Sequence, residues 1–519
     1  MRNQVWDEMS IKSLSFLLFV FVVFCIYYAV QKTNLQKFVI LAASIVCMVS
    51  MSSVAATALV GVLALCVYGI ALRMEALIQR NGGTGGQKTK NQGRGLLFFG
   101  AFLDIGLLLY FKFFQNTYHL LQDCFATKNI TLAELVVPIG LSYYTLALYG
   151  YLSDIYHKKC PAEKNFLLFL TYVTYFPAII EGPINLYQKL APQFRERHSF
   201  DGNRVVMGLQ RCLWGYFKKV VIADRIGILV MGILQDDTAV GPLLFYAMVL
   251  YSFQIYTDFS GGIDVIMGIS EMLDIRLTEN FRSPLVSGSV TEYWARWHIS
   301  LGVFMEKYIY YPIALNRKVM KVSKKIPNKY LSKAFSSALA SFIVFIIVGI
   351  WHGTGWNYVV YGLYQAAFVA GAVLLAPVYK KMKSALHVDD KTLKWKIFTI
   401  LRTFTILVFG RILIKSADMY QVGELLQRMF ADANPHALFD GTIYQYGLDY
   451  KNVFLLYACI VLVIIVDILH EKGVHFRELL MRQGIVFRYV VYYVAVFSII
   501  VFGIYGPEFH SADFIYQAF

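Results

Sequence analysis

The stretch AFSSALASFIVFIIVGIWHGTGWNYVVYGLYQAAFVAGAVLLAPV, residues 334–378, contains no lysine, arginine or carboxylate. Two apolar runs, 334–350 and 357–378, flank a short polar break that holds His352, Gly353, Thr354 and Gly355. An α-helix rises about 1.5 Å per residue, so roughly 20 apolar residues cross the hydrocarbon core of a bilayer. Both runs come close to that length. A soluble fold would have to bury them on every side, whereas a bilayer removes that demand. This stretch therefore reads as two membrane-embedded helices joined by a turn that carries an ionisable side chain.

The rest of the chain repeats the pattern. Of 519 residues, 58% are hydrophobic and 16% charged, against roughly 25% charged in a soluble domain, and the mean hydropathy is +0.54. Further candidate spans are 14–30, 35–51, 53–72, 96–114, 135–153, 166–180, 205–232, 242–257, 396–415, 452–469 and 485–505. Not all of them need cross the membrane. Pro138, Gly140 and Gly150 predict a broken helix in 136–151, and Pro177, Gly182 and Pro183 predict another near 176–183. Such breaks survive at membrane depth where protein or a polar cavity surrounds them. The fold expectation is an all-α, polytopic integral membrane protein. Residues 81–95, rich in Gly, Lys, Gln and Asn, read as a linker between N-terminal helices (1–95) and the remainder (96–519). No internal repeat is visible, which argues against a secondary transporter.

The formal net charge of +15 sits mostly in loops, as the positive-inside rule expects. Arg80, Lys88, Lys90 and Arg94 form one acid-free cluster. Lys318, Lys321, Lys324, Lys325, Lys329 and Lys333 form another, and both are expected on the cytoplasmic face against anionic headgroups. A nucleic-acid partner is not indicated. At the N-terminus Asp7 and Glu8 spoil a signal peptide, so the first apolar run is expected to be retained. Cys25, Cys47, Cys66 and Cys459 lie inside apolar runs and no C-x-x-C pair occurs, so neither a disulfide framework nor a metal site is legible.

Ionisable residues at membrane depth are costly and mark function by default. His352 is the sharpest case, with Gly349, Gly353 and Gly355 giving the backbone room beside the imidazole. A neutral histidine there could take a proton from a hydroxyl; a packing histidine bonded to a carbonyl fits its position equally. His298 follows Trp294, Arg296 and Trp297 in a segment where aromatics alternate with charges, the texture of a membrane interface, and a structural role suits it better. Gln254 and Asp258 share a helical face. With Asp264 the second carboxylate, they could line a polar path or orient a histidine, or hydrogen-bond between helices. No nucleophile elbow, P-loop or dinucleotide fingerprint is present. Direct transfer with a histidine base needs the fewest residues, while a non-enzymatic channel or flippase is the alternative from another class.

Seven segments in order carry a resemblance: VPIGLSYYTLALYGYLSDIY (137–156), GPINLYQKLAPQF (182–194), KKVVIADRI (218–226), YSFQIYTDFSGGIDVIMGI (251–269), ENFRSPLVSGSVTEYWARWHISL (279–301), YIYYPIALNRK (308–318) and GIWHGTGWNYVVYGLY (349–364). The chain resembles the membrane-bound O-acyltransferase family, in its branch of alginate O-acetylases and D-alanyl-lipoteichoic acid transferases. The resemblance implies a ring of helices around a tunnel that joins the two faces. It implies His352 as the catalytic histidine and His298 as its support. Asp258, Ser260 and Asp264 would lie near the tunnel, and Trp351 and Trp297, beside the two histidines, would line the substrate. It further implies an acetyl-CoA or acyl-carrier thioester donor on the cytoplasmic side, with no permanently bound cofactor. An extracytoplasmic, esterase-like partner and a polysaccharide acceptor at the bacterial cell membrane complete the expectation, with D-alanyl transfer to teichoic acid as its variant. Glu181, Glu306-Lys307, Ala314-Leu315 and Gln365 depart from the branch's usual pattern.

Overall fold

The computed structural model describes residues 10–30, 32–80, 87–114 and 137–505. Among them the secondary structure is helical, apart from one isolated antiparallel bridge between Phe281 and Trp297. The helices that matter below are α1 (Leu14–Ala29), α2 (Thr33–Met51), α3 (Val54–Arg80), α4 (Gln87–Leu109), α5 (Leu141–Tyr156), α6 (Phe166–Thr174), α7 (Phe176–Glu181), α8 (Gly202–Tyr216), α9 (Asp224–Gln235), α10 (Pro242–Met272), α11 (Val290–Arg296), α12 (Ile299–Met305), α13 (Lys329–His352), α14 (Trp356–Leu374), α15 (Ala376–Ala385), α16 (Leu393–Lys415), α17 (Met419–Ala431), α18 (Tyr450–Glu471) and α19 (Ile485–Phe502).

Among the described residues eight helical segments are long and apolar enough to cross a membrane: α2, α3, 91–113, α13, α14, α16, α18 and α19. Their outward faces are apolar. Phe102, Phe454 and Val486 are each more than 70% exposed to the surroundings, and α19 buries none of its residues. In water that surface would drive aggregation; in lipid it is the solvated face. The chain is therefore an all-α, polytopic membrane protein, as the apolar runs indicate.

The contacts divide the chain into two units, and the division falls within α8 and again within α10. The first unit holds the described residues up to 212 and 262–278. In it Gly140 precedes α5 with φ +73°, and a Cβ there would stand 2.7 Å from the Ile179 carbonyl oxygen of α7. Only glycine meets both requirements. The break expected in 136–151 is thus confined to its start, and α5 runs on unbroken through Gly150. The second expected break is present: α6 ends at Thr174, and α7 restarts with Pro177 in its first turn, where the missing N–H costs nothing. The predicted linker needs correction. Residues 81–86 lie outside the described residues, but α4 already begins at Gln87. Its lysines and glutamines are good helix formers, so the apolar span extends its helix backwards through Gly93 and Gly95, each of which costs only about 1 kcal/mol against alanine.

The second unit holds 213–261 and 279–505. Its centre is the antiparallel pair α13 and α14. A Cβ on Gly349 would lie 2.5 Å from the Tyr358 carbonyl oxygen, and one on Gly362 would lie 2.6 Å from that of Phe345. Facing small residues of this kind let two membrane helices approach backbone to backbone. Antiparallel to α14 runs α16, since Tyr364 Oη donates to the Ile406 carbonyl (2.8 Å) and Asn357 Nδ2 to those of Leu413 and Ser416 (3.0 and 2.9 Å).

Candidate functional site

His352 is the last residue of α13 and is 5% exposed. The glycines around it do not leave open space, contrary to the sequence expectation. The Gly353 position is covered by the Tyr358 ring, 2.3 Å from where a Cβ would sit, and Gly355 by the Asn357 amide oxygen at 2.2 Å. These glycines exist so that the turn can fold flat onto α14. The His352 ring packs edge-on against Tyr361 of α14, centroids 5.9 Å apart, and 5.0 Å from the Trp351 ring.

His298 links α11 to α12 with φ +49°, a left-handed conformation that is uncommon for a residue with a Cβ. The chain on either side explains how it is held. Residues 280–282 run antiparallel to 296–299, with Arg282 N donating to Arg296 O (3.0 Å) and Ile299 N to Asn280 O (2.9 Å). The Asn280 side chain, fully buried, then reaches back over the turn. Its Oδ1 accepts from Ser300 N (3.1 Å) and Ser300 Oγ (2.8 Å), and lies 3.1 Å from His298 Nδ1. An amide oxygen only accepts, so Nδ1 carries the hydrogen and Nε2 carries the lone pair. Burial keeps this imidazole neutral, pushing its pKa down to about 3.

Trp351 joins the two histidines. Its ring centroid is 6.3 Å from that of His298 and 5.0 Å from that of His352, so both imidazoles lie against one indole. On its other side His298 meets the edge of Phe259 at 5.0 Å. Trp297 is 2% exposed and stacks on Tyr293 (5.5 Å, 18°). Across these rings lies the Arg411 guanidinium, 5.1 Å from the Trp297 centroid, with a hydrogen bond to Tyr293 Oη. A cation buried against aromatic faces gains attraction that water would otherwise screen.

The three α10 residues fall in two places. Asp258 and Ser260 lie in the second unit, on either side of Phe259. Asp258 is ion-paired with Lys219, whose Nζ also lies 3.0 Å from Asp224 Oδ1, and Lys218 Nζ is 2.8 Å from Ser260 Oγ. Both lysines sit in the π-helical turn Phe217–Ala223 between α8 and α9. A π turn has more residues per turn, so neighbouring side chains diverge less and both can reach α10. Asp264 belongs to the first unit, where Arg211 Nε donates to it at 2.9 Å. Within the second unit the structure brings together His352, His298, Trp351 and Trp297, with Asp258 and Ser260 behind Phe259; it places Asp264 in a separate ion pair. Gln365, one of the departures from the family pattern, accepts from Trp294 Nε1 at 3.1 Å. Among the described residues no three His, Cys, Asp or Glu side chains converge to hold a metal.

Sequence reasoning missed Asn280, Tyr293, Lys218, Lys219 and Arg411. The last three were detectable, because charges inside apolar runs are functional candidates. Asn280 was not, because its role arises only when the 280–282 and 296–299 segments pair.

The membrane-bound O-acyltransferase family profile matches residues 9–406. The chain is 28% identical over 355 residues to the probable alginate O-acetylase of Pseudomonas putida, covering 67% of each chain. It is 30% identical over 297 residues to the peptidoglycan O-acetyltransferase of Helicobacter pylori, 51% of this chain and 53% of that one. With the teichoic acid D-alanyltransferase of Bacillus subtilis it shares 25% over 242 residues, 46% of this chain and 59% of that one. The matched stretch thus spans about two thirds of the alginate relatives and a smaller share of the others.

Proposed function

Because the chain belongs to the membrane-bound O-acyltransferase family, we propose that it transfers acetyl groups from a cytoplasmic thioester toward an exported or cell-surface polysaccharide, in a bacterial cell membrane. The observation that carries the reading is the pair of imidazoles against the Trp351 indole. His352 is the general base. Its ring takes the proton of an acceptor hydroxyl as that oxygen attacks the thioester carbonyl carbon. The tetrahedral adduct then expels the thiolate as the C–S bond breaks, and the proton returns to sulfur as thiol. A positioned base of this kind contributes about 10²–10⁴-fold. His298, with its proton held on Nδ1, turns an accepting Nε2 to the site and supports the reacting hydroxyl or its neighbour. Lys219, Asp258, Lys218 and Ser260 fix the α10 segment that presses Phe259 on His298. The chain's similarity to an alginate O-acetylase and a peptidoglycan O-acetyltransferase favours acetyl as the group and a sugar polymer as the final acceptor, reached directly or through an extracytoplasmic partner.

The test supplies purified protein in proteoliposomes with a labelled acetyl thioester or a labelled D-alanyl carrier thioester. Acetyl transfer that disappears in His352→Ala supports the reading. Transfer of D-alanine alone would move the chain to the teichoic acid variant, and transfer of neither would remove the enzyme assignment.

A further inference from the structure

The α16 helix points two cations the same way. Arg411 and Lys415 are four residues apart and share a helical face. Arg411 is engaged by Tyr293 Oη and the Trp297 ring. Lys415, half-buried, is not engaged in that manner. Its ammonium lies 5.2 Å from the centroid of the Tyr251 ring on α10, and its hydrogen-bond partner is the Met231 sulfur at 3.5 Å. A thioether is a weak acceptor. Among the described residues no carboxylate is within salt-bridge reach of Lys415. A lysine at the end of a membrane helix ordinarily snorkels outward to water and headgroups. This one instead lies between the ring of a tyrosine that is 4% exposed and a methionine that is 44% exposed.

Its level in the helix group is fixed. The Asn357 side chain bonds the Leu413 and Ser416 carbonyls, so Lys415 stands beside the start of α14, at the same end as His352. The lysine-rich segments gather at the opposite end. Tyr330 Oη donates to the Val373 carbonyl (2.5 Å), which brings Lys329 and Lys333 to the end of α14 where α15, with Lys380 and Lys381, begins. Lys394 and Lys396 open α16 at that same end. From Lys394 to Lys415 the helix rises roughly 32 Å, a full hydrocarbon thickness. By the positive-inside rule the lysine-rich end is cytoplasmic, and Lys415 and His352 face the side from which an exported acceptor arrives.

We propose that Lys415 is a substrate subsite that holds an anionic group, carboxylate or phosphodiester, of the acceptor polymer beside His352. An ammonium on an aromatic face, with only a sulfur to donate to, gains a strong charge-assisted contact when such an oxyanion arrives. Arg411, one turn deeper and already committed to Tyr293 and Trp297, keeps the local field positive and leaves the contact itself to Lys415. This inference rests on the acyltransferase reading for the meaning of "acceptor", but the anion contact is measured apart from turnover.

The experiment measures equilibrium binding to the detergent-purified full chain, without acyl donor, for three probes: a uronate hexasaccharide, its neutral methyl ester, and a glycerol-phosphate oligomer. The wild type binds at least one anionic probe more tightly than the ester. Lys415→Gln weakens that probe about tenfold and leaves the ester unchanged, while Lys415→Arg keeps most of the affinity. Preference for the uronate assigns a carboxylate acceptor, and preference for the glycerol-phosphate probe assigns a phosphodiester one. Equal binding of all three by wild type, or equal losses for acid and ester in Lys415→Gln, overturns the proposal. Acetyl transfer assayed in parallel separates the two questions: a wild type that binds the anion by Lys415 yet transfers no acyl group refutes the enzyme reading and not the subsite.

Discussion

Replacing Asn280 by alanine tests how the site is held, because one oxygen does three tasks. In the wild type Asn280 Oδ1 meets His298 Nδ1, Ser300 N and Ser300 Oγ in a fully buried setting. Without it the Ser300 hydroxyl can rotate to another acceptor, and the imidazole can shift its proton to Nε2. The Ser300 N–H has no such escape. One buried donor left unmade costs about 1–3 kcal/mol, and the cavity left by the amide adds to that, for roughly 2–4 kcal/mol in all. The proton shift matters more for activity, since it removes the lone pair from Nε2, the nitrogen that the proposed mechanism uses. Transfer falls at least about tenfold, beyond any loss of folded protein. Asn280→Asp separates the two effects. It keeps an acceptor opposite Nδ1 and therefore the tautomer, but a carboxylate there favours the imidazolium and raises the His298 pKa from its depressed value. Transfer by Asn280→Asp should be weak at acidic pH and recover as pH rises through the new pKa, whereas wild type shows no such limb from His298. The assay is labelled acetyl transfer in proteoliposomes across pH, beside a melting curve in the same detergent. An Asn280→Ala protein with unchanged melting and unchanged transfer would refute the reasoning.

Other substitutions probe the frame. Lys219→Met removes the cation that Asp258 and Asp224 share, so it should cost roughly 3–5 kcal/mol and appear as lost yield and a lower melting temperature. Asp258→Asn still leaves Lys219 its contact with Asp224, so the protein should reach the membrane with reduced turnover; unchanged turnover would make Asp258 a purely structural residue. Gly362→Val pushes a side chain into the Phe345 carbonyl, and overpacking of about 1–3 kcal/mol should separate α13 from α14 and lower both melting temperature and activity. The His298 pKa is lower folded than unfolded, so its contribution to stability is present above about pH 6.5 and is lost as pH falls toward 3. A His298→Gln variant should melt with a shallower acid dependence than wild type.

The spans were readable because a bilayer imposes a length and a composition that no soluble core does. α13, α14 and α16 lie within five residues of their predicted ends for that reason. The start of α4 was misread as linker because glycine-rich, basic sequence looks unstructured until an adjoining span nucleates it. The glycines near His352 were read as space, yet they are close-approach points; sequence cannot say whether a missing side chain leaves a gap or admits a neighbour. His298 stood out in the sequence by motif and not by physics. What makes it special is a left-handed backbone and an oxygen from Asn280, and both depend on pairing across the Phe281–Trp297 bridge. Lys219 and Arg411 were open to view as charges inside apolar runs, but a mean hydropathy over each run passes over them. The hydropathy that identifies the class thus blurs the ions that work inside it.

The proposed transfer depends above all on the His352 imidazole removing the acceptor's proton. Single-turnover acetyl transfer in proteoliposomes, with labelled thioester inside and acceptor outside, measures that step for wild type and His352→Gln at equal amounts of folded protein. His352→Gln should lose about 10²–10⁴-fold in the chemical step with donor and acceptor binding retained. A His352→Gln protein that transfers acetyl at the wild-type rate would contradict it.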